Sequence, residues 1–235
     1  LRIAHLGPRH ELQVGGEAEG AHHLAQAGVA VGQARLVRVV GGHQHGARVE
    51  RGAGLEHRVP GMGVELGADV PFALAGGIAI GLGRGEVLTQ IEAVRPIHLV
   101  LVTSDEGLST PAVYRRLDEL RAARGIDPKL AAEATVPADL IRALQTGDQT
   151  ALASLLKNDL QEAALDLRPD LKKSIDAGLA AGAIAGFVSG SGPTIAFLVA
   201  DADGAESLAQ KLHIEGYRAL AASGPAAGVI IREED

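Results

Sequence analysis

The chain has 235 residues, of which 46% are hydrophobic and 22% charged, with a net charge of -7 and no cysteine. That length suits one or two globular domains with a sizeable core, and the lack of thiols excludes a disulfide scaffold, a thiolate metal site and a cysteine nucleophile. The acidic balance argues against a general nucleic-acid partner, and no apolar run approaches the ~18 residues a membrane span needs. The first residues, Leu1-Arg2-Ile3-Ala4-His5, carry no charged-then-apolar signal pattern, so a cytoplasmic chain is expected. Aromatic residues are only 2% of the chain, so the core must be aliphatic.

Residues 1–62 stand apart. They contain no Ser, Thr, Asp, Asn, Lys, Phe or Tyr, and they hold seven of the nine His and twelve of the 31 Gly. Seven residue types that make up roughly a third of an ordinary chain do not vanish over such a length by chance. Three explanations stay open: a Gly- and His-rich arm, an unusual domain, or a segment read out of frame. The last is preferred, because a frame error in GC-rich DNA yields this Ala, Gly, Arg, Val, His, Pro, Leu and Gln vocabulary. Within it, Ala30-Val31 and residues 36–40 can form strands, and no capped helix is visible. A boundary is expected at 62/63.

Beyond it the pattern is ordinary. Residues 78–80 read as a short strand after Gly76-Gly77, and residues 97–102 as a second, longer one. Pro111 starts a helix capped by Ser109 or Thr110, with Val113, Leu117 and Leu120 on one face. Pro137 starts another, Leu152, Leu155, Leu156 and Leu160 mark a third, and Pro169 opens a fourth through Leu171, Ile175 and Leu179. Strands follow over 184–188 and 194–200, then a helix over 203–214 with Leu208 and Leu212 inward, then strands over 217–222 and 228–231. This order predicts an α+β fold with helices on one face of an antiparallel sheet.

Several stretches can carry chemistry. Ser189-Gly190-Ser191-Gly192-Pro193-Thr194 lies between two apolar runs, and its glycines let backbone N–H groups approach an anion; a plain turn is the alternative. Asp69 precedes Val70-Pro71, and the proline is expected to hold Val70 extended and so aim Asp69, which can then orient or deprotonate a hydroxyl. A turn-capping Asp is the plainer alternative. Residues 81–86, Gly-Leu-Gly-Arg-Gly-Glu, lack the Lys and Ser/Thr of a Walker loop and read as a strand end or turn. Asn158 and Asp159 fall in a helical segment where such residues are unfavourable, so either something outside the helix uses them or they face solvent. His22-His23 and His43-Gln44-His45 have no Asp or Cys nearby to complete a metal site, and Glu50 adds little; no metal site is expected from them.

Taken together, Glu65-Leu66-Gly67-Ala68-Asp69-Val70-Pro71-Phe72, Gly76-Gly77, Gly81-x-Gly83-Arg84-Gly85-Glu86, residues 108–114, Asn158-Asp159-Leu160-Gln161 and residues 189–194 resemble the 4-diphosphocytidyl-2-C-methyl-D-erythritol kinase branch of the GHMP small-molecule kinases. The resemblance covers about residues 63–235. It implies a GHMP kinase-like α+β fold, with residues 63–95 the remnant of an N-terminal domain and residues 96–235 a ferredoxin-like C-terminal domain. It implies transfer of the γ-phosphoryl of ATP, with Mg2+, to the 2-hydroxyl of a cytidine-diphosphate-linked methylerythritol in non-mevalonate isoprenoid biosynthesis. By resemblance Asp69 is the catalytic acid/base, Gly67, Ala68, Ser189, Gly190, Ser191 and Gly192 lie near the substrate or its phosphates, and Thr110 lies near the nucleotide. The partner is a small molecule, with neither nucleic acid nor membrane.

The chain departs from that pattern in its first 62 residues. The family's N-terminal Lys, its Tyr-His substrate pair and its Gly-Gly-Gly-Ser-Ala-Asp-type phosphate loop are all absent there. That loop and its helix dipole are the main phosphate cradle, so impaired turnover is expected. A non-catalytic binding module and a GHMP kinase for another alcohol are the alternatives.

Overall fold

The computed structural model describes residues 57–58, 70–82, 87–126 and 137–228. Two antiparallel sheets organise them. The smaller contains β1 (His57–Arg58), β2 (Ile78–Leu82) and β3 (Val87–Ile91) in the order β1-β3-β2. A six-residue helix, α1 (Val70–Ala75), lies between β1 and β2 in the chain. Val70 is therefore helical rather than extended. Pro71 is tolerated at the second position because an N–H in a helix's first turn has no partner to lose. Gly81 packs under this helix, where an added Cβ would lie 2.5 Å from the Phe72 ring.

The larger sheet contains β4 (Ile97–Thr103), β5 (Ala185–Val188), β6 (Ile195–Val199) and β7 (Arg218–Gly224) in the order β5-β6-β4-β7. Every neighbouring pair is antiparallel. Helices α2 (Thr110–Ala123), α3 (Ala138–Thr146), α4 (Gln149–Leu155), α5 (Gln161–Leu167) and α6 (Asp170–Ala180) connect β4 to β5, and α7 (Ala202–Ile214) connects β6 to β7. Two strand-helix-strand passes with this strand order are the ferredoxin-like arrangement expected for residues 96–235.

The helices occupy both faces of the sheet, not one. Val100, Val102, Val188, Ile195, Phe197 and Val199 meet α2, α5, α6 and α7 in one cluster. Leu99 and Leu198, on the opposite face of the same strands, meet Leu140, Ala143 and Leu144 of α3, Leu152 of α4 and Ile78 of β2. The reason lies in β6, whose five residues are all buried. A strand apolar on both faces needs cover on both.

Other differences are local. Residues 149–167 form two helices, because Leu156 ends α4 and Leu160 caps α5. The strand β3 follows β2 in an antiparallel hairpin. Of the strand expected over 228–231, residues 229–231 lie outside the described residues; just before it, Ala227 forms an isolated bridge with Gly76. The first described segment of residues 1–62 is β1; the strands expected over 30–31 and 36–40 and both histidine pairs lie outside the described residues. Among the described residues, no helix is long and apolar enough to cross a membrane.

Phe197 is fully buried and is the largest side chain of the core. Its ring fits because two glycines face it. A Cβ on Gly186 would lie 2.8 Å from Cε1, and one on Gly178 of α6 would overlap the ring. Gly178→Ala should gain ~1 kcal/mol of helix propensity but lose about 1–3 kcal/mol to overpacking. The expected net result is a lower urea midpoint, with a smaller loss in a Phe197→Leu background.

Arg168 anchors the start of α6. It donates to both carboxylate oxygens of Asp170, at 2.8 and 2.7 Å, and to the Glu106 carbonyl at 3.3 Å. These donated bonds hold the Asp170 carboxyl below the ordinary carboxylate value. The group's contribution to stability is therefore present above its unfolded pKa and is lost as pH falls through the lower folded pKa. Arg168→Met should return the Asp170 titration, followed by NMR, toward the free value.

Candidate active site

The sheet places the β5–β6 connection, residues 189–194, beside the start of α2 and the α4–α5 junction. Backbone bonds close the turn: Ser189 N–H donates to Thr194 O at 2.8 Å and Gly192 N–H to Ser189 O at 3.0 Å. Gly190 and Gly192 take φ of +59° and +80°, where a side chain would be strained, and the Gly192–Pro193 bond is cis. Gly192 also sits against Val188 and Leu108, 3.1 and 3.4 Å from where a Cβ would stand. The loop thus lies on the core instead of projecting from it. Ser189 and Ser191 are buried, at 3% and 8% exposure.

Three side chains from two other segments hold it. The Thr110 and Ser191 hydroxyls share a hydrogen bond of 2.8 Å. Ser109 is the N-cap of α2 but makes no side-chain cap bond, and Pro111 fills the first turn. The helix therefore starts without a hydroxyl cap, and Thr110 spends its hydroxyl on the loop. Asn158 donates from Nδ2 to the Val188 and Gly190 carbonyls, both at 2.7 Å. Its Oδ1 accepts from Leu160 N–H at 3.0 Å, which turns the chain into α5. Gln161 Oε1 accepts from Val188 N–H at 2.9 Å.

Asn158 and Asp159 therefore lie between two helices, not within one, which corrects the mid-helix placement. The signal was correct in kind: Asn158 is used by something outside the helix. Gln161 had only its place in the motif to mark it, because a helix-first-turn Gln is common and its cross-chain partner is 27 residues away.

Two ion-pair sets tie α2 to α5 farther along. Arg116 bridges Glu119 and Asp166, and Arg124 pairs with Glu162. All are substantially exposed, so their energetic weight is small, but they join the two helices whose first turns carry Thr110 and Gln161. The donated bonds raise the pKa of both arginines and lower that of Glu162.

The structure brings Ser189, Gly190, Ser191, Gly192 and Thr110 together. Asp69, Gly67 and Ala68 lie outside the described residues, as do residues 83–86. Gly81 and Leu82 end β2, and Val87 opens β3 opposite Leu82. Among the described residues no group of three or more His, Asp, Glu or Cys is placed to hold a metal ion.

The family described as GHMP kinases C terminal matches residues 140–218, which include Asn158, Gln161 and the whole loop. The 4-diphosphocytidyl-2-C-methyl-D-erythritol kinase of Pseudarthrobacter chlorophenolicus is 50% identical over 171 residues, covering 72% of this chain and 52% of that protein. The kinase of the same name from Rhodococcus jostii is 50% identical over 173 residues, covering 73% and 54%. A crystal structure of 4-(cytidine 5'-diphospho)-2C-methyl-D-erythritol kinase superposes with a TM-score of 0.55 at 29% identity, over 68% of this chain and 54% of that one. Mevalonate kinase from L. major, at 17% identity and a TM-score of 0.50, shares the fold. The chain spans about half the length of the curated relatives it matches. With the loop and its Asn158 and Gln161 clamps inside residues 140–218, this chain carries a GHMP kinase C-terminal domain.

Proposed function

We infer that this chain belongs to an ATP-dependent kinase that phosphorylates the 2-hydroxyl of 4-diphosphocytidyl-2-C-methyl-D-erythritol, and that its 189–192 loop forms the phosphate-facing wall contributed by the C-terminal domain. The observation that carries this reading is the convergence of Thr110 and Asn158 on one glycine-bearing loop, with Gln161 holding Val188 at its base. The named kinases that share about half of the aligned residues support the substrate class.

The donor set fits a phosphate. Left-handed glycines at 190 and 192 let the backbone come close to a ligand, and the Thr110–Ser191 hydroxyl pair can turn a donor toward an oxygen. The N-terminus of the 14-residue α2 begins at Thr110, so its dipole adds positive potential beside the loop. ATP supplies the transferred phosphoryl group when bound. The protein's part is positioning and electrostatic stabilisation of the phosphates, which carry most of the rate in phosphoryl transfer. Asp69 is assigned as the acid/base that takes or orients the hydroxyl proton. No residue is assigned to Mg2+.

Residues 1–235 alone are expected to be a poor catalyst in this reading. Their first Lys is Lys129, and residues 1–62 hold no Ser or Asp to build the family's phosphate loop. That absence is also what favours the second reading, a non-catalytic binding module.

Three measurements test these statements. In a thermal-shift assay, cytidine-diphospho-methylerythritol should raise Tm, whereas homoserine and mevalonate should not; equal shifts would transfer the assignment to another alcohol. ATP-dependent phosphorylation of the same substrate should be at background, and clear turnover would overturn the impairment. Translation of the coding DNA in all frames should show a Lys-Val-Asn-like and a Gly-Gly-Gly-Ser-Ala-Asp-like string upstream of codon 65. Their absence from every frame would put the binding module first.

A further inference from the structure

We propose that Asn158 is a positioning residue for the phosphate-facing loop, aiming the Ser191 N–H by pinning the carbonyl that shares its peptide plane. This rests on the reading above that the loop faces phosphate, and it assigns the side chain that shapes it.

Every hydrogen-bonding group of the Asn158 carboxamide that can order the chain is engaged. Its two N–H groups reach the carbonyls of Val188 and Gly190, two residues apart, and its oxygen takes the Leu160 N–H. In a trans peptide the N–H points opposite the C=O. Drawing the Gly190 carbonyl toward Asn158 therefore turns the Ser191 N–H away from it. Gly190 has φ of +59° and offers little resistance to rotation on its own. Backbone bonds fix the turn only at Ser189 and Gly192, on either side of the Gly190–Ser191 peptide. Gln161 holds the N–H of Val188 while Asn158 holds its C=O, so the strand end from which the loop departs is gripped from both sides.

Residue chemistry supplies a sharp test. Asn158→Asp keeps the shape and the bond from Leu160 but sets an ionised oxygen against two carbonyls. Asn158→Leu removes all three bonds without adding charge. The probe is inorganic pyrophosphate added to the full chain, read from the amide shifts of Gly190, Ser191 and Gly192. Both substitutions should leave the hydrogen-exchange protection of β4 unchanged. Both should speed exchange at the Ser189 and Gly192 amides at least tenfold and raise the pyrophosphate Kd at least tenfold at pH 8. For Asn158→Asp, the ratio of its Kd to that of the unsubstituted chain should shrink toward pH 4.5, where the introduced carboxyl takes a proton and regains one donor. The Asn158→Leu ratio should stay constant with pH.

Unchanged Kd and exchange in either folded variant, with normal binding by the unsubstituted chain, overturns the positioning role alone. If the unsubstituted chain shows no saturable shift, the phosphate reading itself fails and this role with it. Loss of β4 protection in both variants makes Asn158 a general structural residue and also overturns the proposal.

Discussion

Complete burial of β6 is the constraint on which the larger domain depends. A five-residue strand with no exposed residue must have a paired neighbour on each edge and an apolar layer on each face. Its edges are taken by β4 and β5. On one face Phe197 and Ile195 call for α2, α5, α6 and α7; on the other Leu198 calls for α3, α4 and the neighbouring β2. Five helices fit between β4 and β5 because this one chain segment must clothe both sides before it returns to the sheet. The same demand explains the glycines at 178 and 186: an otherwise aliphatic, alanine-rich interior takes one phenyl ring only where its neighbours give up their side chains.

Polar groups at the end of that strand follow a different logic from those on the surface. The exposed pairs Arg116–Asp166 and Arg124–Glu162 are screened and individually weak. Among the described residues, the contacts that hold the loop come from a carboxamide, a second amide, two hydroxyls and the backbone, with no ion pair. Neutral groups can be buried at modest cost when each finds a partner.

Much of this was legible before any coordinates. The run at 97–102 and the proline-started helices at 111, 137 and 169 need only local information: apolar length, a fixed φ and a missing N–H. The loop at 189–194 was marked by its glycines and serines. What was hidden is what depends on distant partners. Val70-Pro71 read as extended from a two-residue steric rule, but α1 starts there. Leu156 and Leu160 kept a helical spacing across a real break, because Asn158 makes its bonds to residues 30 and 32 positions away and to its own second neighbour. The second helical layer was hidden for the same reason, since periodicity tells which side of a helix is apolar and not which side of a sheet it covers.

The β5–β6 hairpin stands at one border of its sheet, and side chains from the start of α2 and from the α4–α5 junction reinforce the backbone bonds that close its turn. Shape at the turn is thus set jointly by its own backbone bonds and by three polar side chains, each with a different partner. The side chains at positions 110, 158 and 161 therefore shape the turn and its base without themselves belonging to the apolar interior.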